Sequence, residues 1–121
     1  MFTHSQLMKF CTEIFLSLNM DNEKALDTSE ILIEADMMKH STHGVRLLPL
    51  YIKDIELGNM KVNGQEKVLK DTGSCLTWDG KLLPGTWLTK KALKTAAERA
   101  QKFGVATVSI SNSHHNGALA A

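Results

Sequence analysis

The sequence has almost no excess of charge of either sign. Its 14 Lys and Arg stand against 13 Asp and Glu, leaving a formal +1. Overall charge therefore gives no support for a nucleic-acid or anionic-membrane partner. Cysteine is scarce. Cys11 and Cys75 lie on different segments and form no metal-ligand spacing. With no secretory signal, the expectation is two reduced thiols in a cytoplasmic protein. Long apolar runs are missing as well. Lys9 and Glu13 interrupt the N-terminal stretch, which is neither a signal peptide nor a membrane span. No repeat, low-complexity tract or Pro/Gly/Ser-rich linker divides the chain. What remains is 121 residues, 43% hydrophobic and 22% charged, the size and composition of one globular domain.

The apolar spacing predicts four helices. Residues 3–19 place Leu7, Phe10, Cys11, Ile14, Phe15 and Leu18 on one face. Thr3 and Gln6 form a capping-box pattern, with Phe2 and Leu7 as its hydrophobic staple. A membrane-surface helix is the weaker reading, because the polar face is not rich in Lys and Arg. Asp21 is placed to cap a second helix to about Met38. Its core positions are expected at Ala25, Leu26, Ser29, Leu32, Ile33 and Ala35, with Met37 and Met38 filling gaps. Asp36 lies near the C-terminal end of that helix, where the macrodipole disfavours it. It is expected to be a solvated charge, with Lys39 near enough to offset it. A third helix spans Leu48 to Leu57, with Pro49 in its first turn and Leu48, Ile52 and Ile55 on one face.

Beyond Gly58 the pattern changes. Val68–Lys70 and Cys75–Trp78 read as two short strands about the turn Asp71-Thr72-Gly73. Asp79-Gly80 is a second turn. A fourth helix follows Leu83-Pro84-Gly85, with an expected buried stripe of Leu93, Ala96, Ala97, Ala100 and Phe103 and with Gly104 as its C-terminal cap. Val105 to Ser111 alternates Ala106, Val108 and Ile110 against Thr107, Ser109 and Ser111, a half-buried strand. An apolar run, Ala118-Leu119-Ala120-Ala121, follows a polar turn. Such a run is expected to continue into a buried element, so the natural protein is expected to be longer.

Four of the five histidines fall in two clusters, His40-Ser41-Thr42-His43-Gly44 and Asn112-Ser113-His114-His115-Asn116-Gly117. His4 reads as a surface residue. Three uses compete for the clusters. Neutral imidazoles bind zinc, but adjacent His114 and His115 point opposite ways on an extended backbone, and no metal is expected. Each histidine could simply satisfy backbone carbonyls. The third use is acid/base chemistry, with one histidine from each turn facing a shared cleft. Gly44 and Gly117 would let a substrate approach the backbone there. Gly44 is expected to take a conformation other residues avoid, aiming His43 sharply.

Ala35-Asp36, His40-Ser41-Thr42-His43-Gly44-Val45 and Leu48-Pro49-Leu50-Tyr51 carry a resemblance, joined in register by Asp79-Gly80 with Gly85 and by Asn112–Gly117. Together they resemble the type 2 malate/L-lactate dehydrogenase family, which includes ureidoglycolate, sulfolactate and diketogulonate oxidoreductases. The resemblance covers nearly all of the chain. It implies the first third of a longer α/β enzyme with a non-Rossmann fold. Residues 1–58 would be a helical segment with the first histidine motif, and 59–121 the start of a mixed α/β catalytic domain. It implies an NAD- or NADP-dependent oxidoreductase that interconverts a 2-hydroxy acid and a 2-oxo acid, usually as a homodimer. Most of the nicotinamide site would lie in segments beyond Ala121, which accounts for the missing G-x-G-x-x-G.

By motif match, His43 would be the proton donor, oriented by Thr42, and His115 would bind substrate or share the acid/base role. His43, Gly117, Ala118 and Leu119 would line the cofactor. Many relatives carry Arg two residues after the motif valine, a bidentate grip for a carboxylate. Here that position is Leu47, and Arg46 precedes it as the candidate substrate contact. Lys39 replaces a frequent glycine, Asn116 a common aromatic and Ala120 a common glycine. These departures suggest a larger or less simple 2-oxo acid. The competing reading is a non-enzymatic fragment or interaction module that keeps the family's N-terminal shell.

Overall fold

A computed structural model describes residues 1–120; Ala121, the last residue of the apolar run, lies outside the described residues. Four helices and a three-stranded mixed sheet follow the expected order. They are α1 (His4–Ser17), α2 (Asn22–Met37), α3 (Leu48–Glu56), β1 (Lys67–Asp71), β2 (Cys75–Asp79), α4 (Gly85–Phe103) and β3 (Thr107–Ser111). Two short 3-10 turns, Ser41–His43 and Val45–Leu47, carry the chain from α2 to α3.

The capping box at Thr3 is formed. The Thr3 hydroxyl accepts the Gln6 N–H at 3.2 Å, and the Gln6 side chain accepts the Thr3 N–H at 2.8 Å. Such a cap contributes about 1 kcal/mol. Asp21 stands at the N-cap of α2 but makes no cap hydrogen bond. Its carboxylate instead receives the Lys24 ammonium at 2.6 Å. The principal core lies among α1, α2 and α3, where Phe15, Leu32, Tyr51 and Met60 are buried.

β1 and β2 form the expected antiparallel hairpin, with an irregularity between Val68 and Lys70. α4 then crosses over so that β3 runs parallel to β2, pairing Cys75 with Thr107 and Asp79 with Ser111. β3 has the expected alternation, with Val108 and Ile110 half-buried between exposed neighbours. A smaller cluster of Leu76, Trp78 and Ala92 fills the space between sheet and helix. Arg99 on α4 makes a bidentate ion pair with Asp71 at 2.8 and 3.0 Å, fastening the helix to the hairpin. The helical and sheet halves meet along α2 and α4. There the buried Thr28 and Thr86 hydroxyls lie 2.9 Å apart. The Lys24 ammonium sits 4.1 Å above the Trp87 ring, and Lys91 lies 4.8 Å from the same ring.

Several expected core positions are corrected. In α4, Leu93 is 71% exposed, and Ala97 and Phe103 are also exposed. The inner stripe runs instead through Leu88 and Ala92, with Ala96 and Ala100 half-buried. Each residue turns a helix by about 100°, so Leu93 faces away from the line set by Ala92. Phe103 lies across the hairpin turn, where a Cβ on Gly73 would come within 2.8 Å of its ring. Leu26 in α2, Phe10 in α1 and Met37 are likewise exposed.

Candidate active site

The first histidine turn is built by a carboxylate. Asp36, expected as a solvated charge, reaches over the turn and accepts the Val45 N–H at 2.8 Å. Gly44 has φ −90° and ψ −159°, backbone that any residue can adopt. Glycine is needed there for a different reason than expected: a Cβ would lie 1.9 Å from the Asp36 carboxylate. The Asp36 carboxylate and the bare Gly44 backbone thus fit together. The turn closes with His43 N–H donating to the His40 carbonyl at 2.8 Å.

The second histidine motif leaves β3 through Asn112, whose φ is +54°. His114 N–H donates to the Leu83 carbonyl at 3.0 Å. The His114 and His115 carbonyls then pass directly over Gly85, where a Cβ would approach within 2.3 and 2.7 Å of them. Gly85 at the start of α4 is the seat on which this motif rests. Gly117 is buried at φ +73°, and a Cβ there would meet the Ile31 side chain at 2.7 Å.

The two motifs meet. The His43 and His115 rings stack with centroids 5.6 Å apart and planes 25° from parallel. Thr42 Oγ1 lies 3.0 Å from His43 Nδ1. His115 Nδ1 faces two groups, the Tyr51 hydroxyl at 2.8 Å and the Gly117 N–H at 3.2 Å. An amide N–H can only donate, so Nδ1 accepts and the ring proton resides on Nε2. Burial pushes the Tyr51 phenol well above its usual range, so it stays protonated and available to donate. Desolvation, then the neighbouring His43 and His114, hold His115 below its ordinary pKa, which keeps the ring neutral.

His114 turns to the other side. Its Nε2–H donates to the Asp54 carboxylate at 2.9 Å, and this hydrogen bond lowers the Asp54 pKa. Its ring stands edge-on to Tyr51, with centroids 5.2 Å apart. A cleft of about 280 Å³ opens beside the stacked rings, lined by His40, His43 and Gly117 to Ala120.

The expected site residues Thr42, His43, His115, Gly117, Ala118 and Leu119 are therefore gathered in one place. Arg46 is exposed on the second 3-10 turn and makes no ion pair or hydrogen bond among the described residues. No group of three or more His, Cys, Asp or Glu is arranged for a metal ion among the described residues. Sequence reasoning missed Tyr51, Asp54 and the clamping role of Asp36. Tyr51 and Asp54 are three apart on α3, neighbours on a helix face, which was the available signal.

Solved structures of similar shape cover most of the chain. Sulfolactate dehydrogenase from Methanocaldococcus jannaschii superposes with a TM-score of 0.90 at 27% identity, over 93% of this chain and 33% of that one. Malate dehydrogenase from Entamoeba histolytica gives 0.89 at 27% identity, over 93% and 32%. Among curated proteins, malate/(S)-sulfolactate dehydrogenase of Methanothermus fervidus is 32% identical over 105 residues, 87% of this chain and 31% of its own length. Hydroxycarboxylate dehydrogenase B of Escherichia coli K12 is 28% identical over 118 residues, 98% and 33%. The chain spans about a third of the length of these relatives. The family profile described as malate/L-lactate dehydrogenase matches residues 2–121. With the profile matching nearly the whole chain and the fold shared, this chain belongs to the malate/L-lactate dehydrogenase family.

Proposed function

We propose that this chain supplies the proton-transfer side of an NAD- or NADP-dependent oxidoreductase that interconverts a small 2-hydroxy acid and its 2-oxo acid. The observation that carries this reading is the stacked pair His43 and His115 beside a cleft. His43 is the acid/base: Thr42 holds Nδ1, leaving Nε2 to give a proton to the substrate oxygen or take one from it. His115 is the neutral binding partner, because its Nδ1 accepts two hydrogen bonds and Nε2–H is left to donate to the substrate. A nicotinamide, when bound, supplies or accepts the hydride. Gly117, Ala118 and Leu119 line the same cleft as His43 and offer an apolar surface on which a flat ring can pack. Arg46, one residue from the position where many relatives carry arginine, would have to swing inward to meet a carboxylate. This favours a larger or less simple 2-oxo acid than malate or lactate. A homodimer in the cytoplasm is the expected working form.

The test follows loss of NADH or NADPH absorbance with a panel of 2-oxo acids, using the protein that carries this chain. His43→Ala is expected to lower turnover by about a hundredfold to ten-thousandfold, with a much smaller loss of cofactor affinity. Unchanged turnover would remove His43 from the reaction. The alternative is a non-enzymatic module that keeps the family's N-terminal shell. That reading requires that reduced nicotinamide fluorescence not respond to the protein, whereas a dehydrogenase quenches or shifts it.

A further inference from the structure

We propose that Asp54 and His114 form a positioning pair whose hydrogen bond anchors the second histidine motif to α3, so that Tyr51, one turn away, meets His115. The proposal rests on the reading of His115 as a site residue and adds two residues to its machinery. Asp54 and Tyr51 lie three apart on α3 and therefore on one face. Each grips one of two adjacent histidines, Asp54 at 2.9 Å and Tyr51 at 2.8 Å. Adjacent side chains on an extended strand point to opposite faces, so one helix can hold both only if the backbone between them is bent. That bend exists: it begins at Asn112 (φ +54°), rides over Gly85 and ends at Gly117 (φ +73°). A bent segment with few backbone hydrogen bonds depends on its side chains to keep its shape.

The pair is well placed to do this. The His114 side chain is only 11% exposed and Asp54 21%, and a charge-assisted hydrogen bond with little water around it is strong and directional. Asn59 also donates weakly to the same carboxylate, and Lys53 on α3 adds a nearby positive charge. His114 acts on His115 by two routes, through the shared backbone and through its edge-on contact with the Tyr51 ring. A catalytic Asp–His dyad is the rival assignment. It fails on geometry, because the other ring nitrogen of His114 is buried without a partner and has no access to a substrate.

The experiment is a pH titration of the chain labelled with 15N-histidine, reading both ring nitrogens of each of the five histidines by long-range proton–nitrogen correlation. In the wild type, His115 should carry its proton on Nε2 and titrate below an ordinary histidine. In Asp54→Ala the two His115 nitrogen shifts should converge, as the tautomers mix, and its midpoint should rise toward the ordinary value. Tyr51→Phe should raise the midpoint in the same direction, while the Gly117 N–H still keeps the ring proton on Nε2. Asp54→Asn, whose amide oxygen can still accept from Nε2–H, should restore the wild-type pattern. If Asp54→Ala alters His114 while His115 keeps its tautomer and midpoint, the pair is only structural and the proposal is overturned. Should Asp54→Ala fail to fold, His114→Ala is read at His115 by the same criteria. The readout is ring protonation, so its failure and a failure of the dehydrogenase reading are seen separately.

Discussion

The helical half and the sheet half of this chain are packed to different standards. Among α1, α2 and α3, Phe15 and Leu32 have no exposed surface and Tyr51 has 1%. Around the sheet, Leu76, Trp78 and Ala92 pack against half-buried Val108 and Ile110, and Leu83, Trp87 and Leu88 form a second small cluster. Exposed Leu93 and Leu119 lie beside them, and the outer edge of β3 is unpaired among the described residues. The site draws one histidine from each half. His43 belongs to the dense half, seated by Asp36. His115 arrives from the open half and is moored to the dense one by Tyr51 and Asp54. The precision of the site thus comes from both sides: Tyr51 and Asp54 hold the second motif from α3, while the Leu83 carbonyl and Gly85 seat it at the start of α4.

The largest test of this contrast is a pair of truncations. Leu32→Ala should cost about 2–5 kcal/mol, because its closed surroundings cannot collapse into the cavity. Leu76→Ala should fall at about 2 kcal/mol, since its neighbours are partly exposed and can relax. Denaturant midpoints with an unchanged slope would measure both, and equal losses would dissolve the distinction. Gly44→Ala comes next. Its methyl collides with the Asp36 carboxylate, and overpacking of this kind costs about 1–3 kcal/mol. It should also release the Val45 N–H, seen as faster amide exchange at that residue. A variant as stable as wild type would mean that the turn yields where the packing says it cannot.

A smaller effect comes from pH. The folded state holds His115 below its ordinary value of 6.5, so the unfolded chain binds that proton more readily. Stability should therefore fall as pH drops through 6.5 and stop falling from this source once pH passes below the folded value. His115→Asn should flatten that part of the profile, which begins near pH 6.5 and extends downward. An unchanged slope would assign it to another group. Smallest of all, Leu93→Ser should change stability by no more than about 0.5 kcal/mol. A larger loss would show that the open face is packed after all.

Much of the fold was legible because the signals were local. The Thr3–Gln6 cap, the Asp71-Thr72-Gly73 hairpin turn and the alternation of Val108 and Ile110 each depend on neighbours in sequence. The motifs around His43 and His115 were legible for the same reason, and so was their meeting by family resemblance. What could not be read depends on contacts distant in the chain. Leu93 and Ala92 are equally apolar, and only the placement of the sheet decides which is covered. Asp36 looked like a surface charge because its partner, the Val45 N–H, becomes reachable only when the turn has formed. Gly44 and Gly85 were visible as glycines, but the bodies that exclude a side chain from them were not.

The chain has two tryptophans, Trp78 and Trp87, both buried and both in the sheet and α4, while residues 1–58 contain none. Intrinsic fluorescence is therefore an optical reporter of one half of the molecule, and Trp87, with an ammonium group 4.1 Å from its ring, is its sensor of the seam with α2. Far-UV circular dichroism, dominated by the helices, watches both halves, α1, α2 and α3 in one and α4 in the other. If the two halves come apart at different denaturant concentrations, the molecule itself will display it as two transitions in two colours of light, with no label attached.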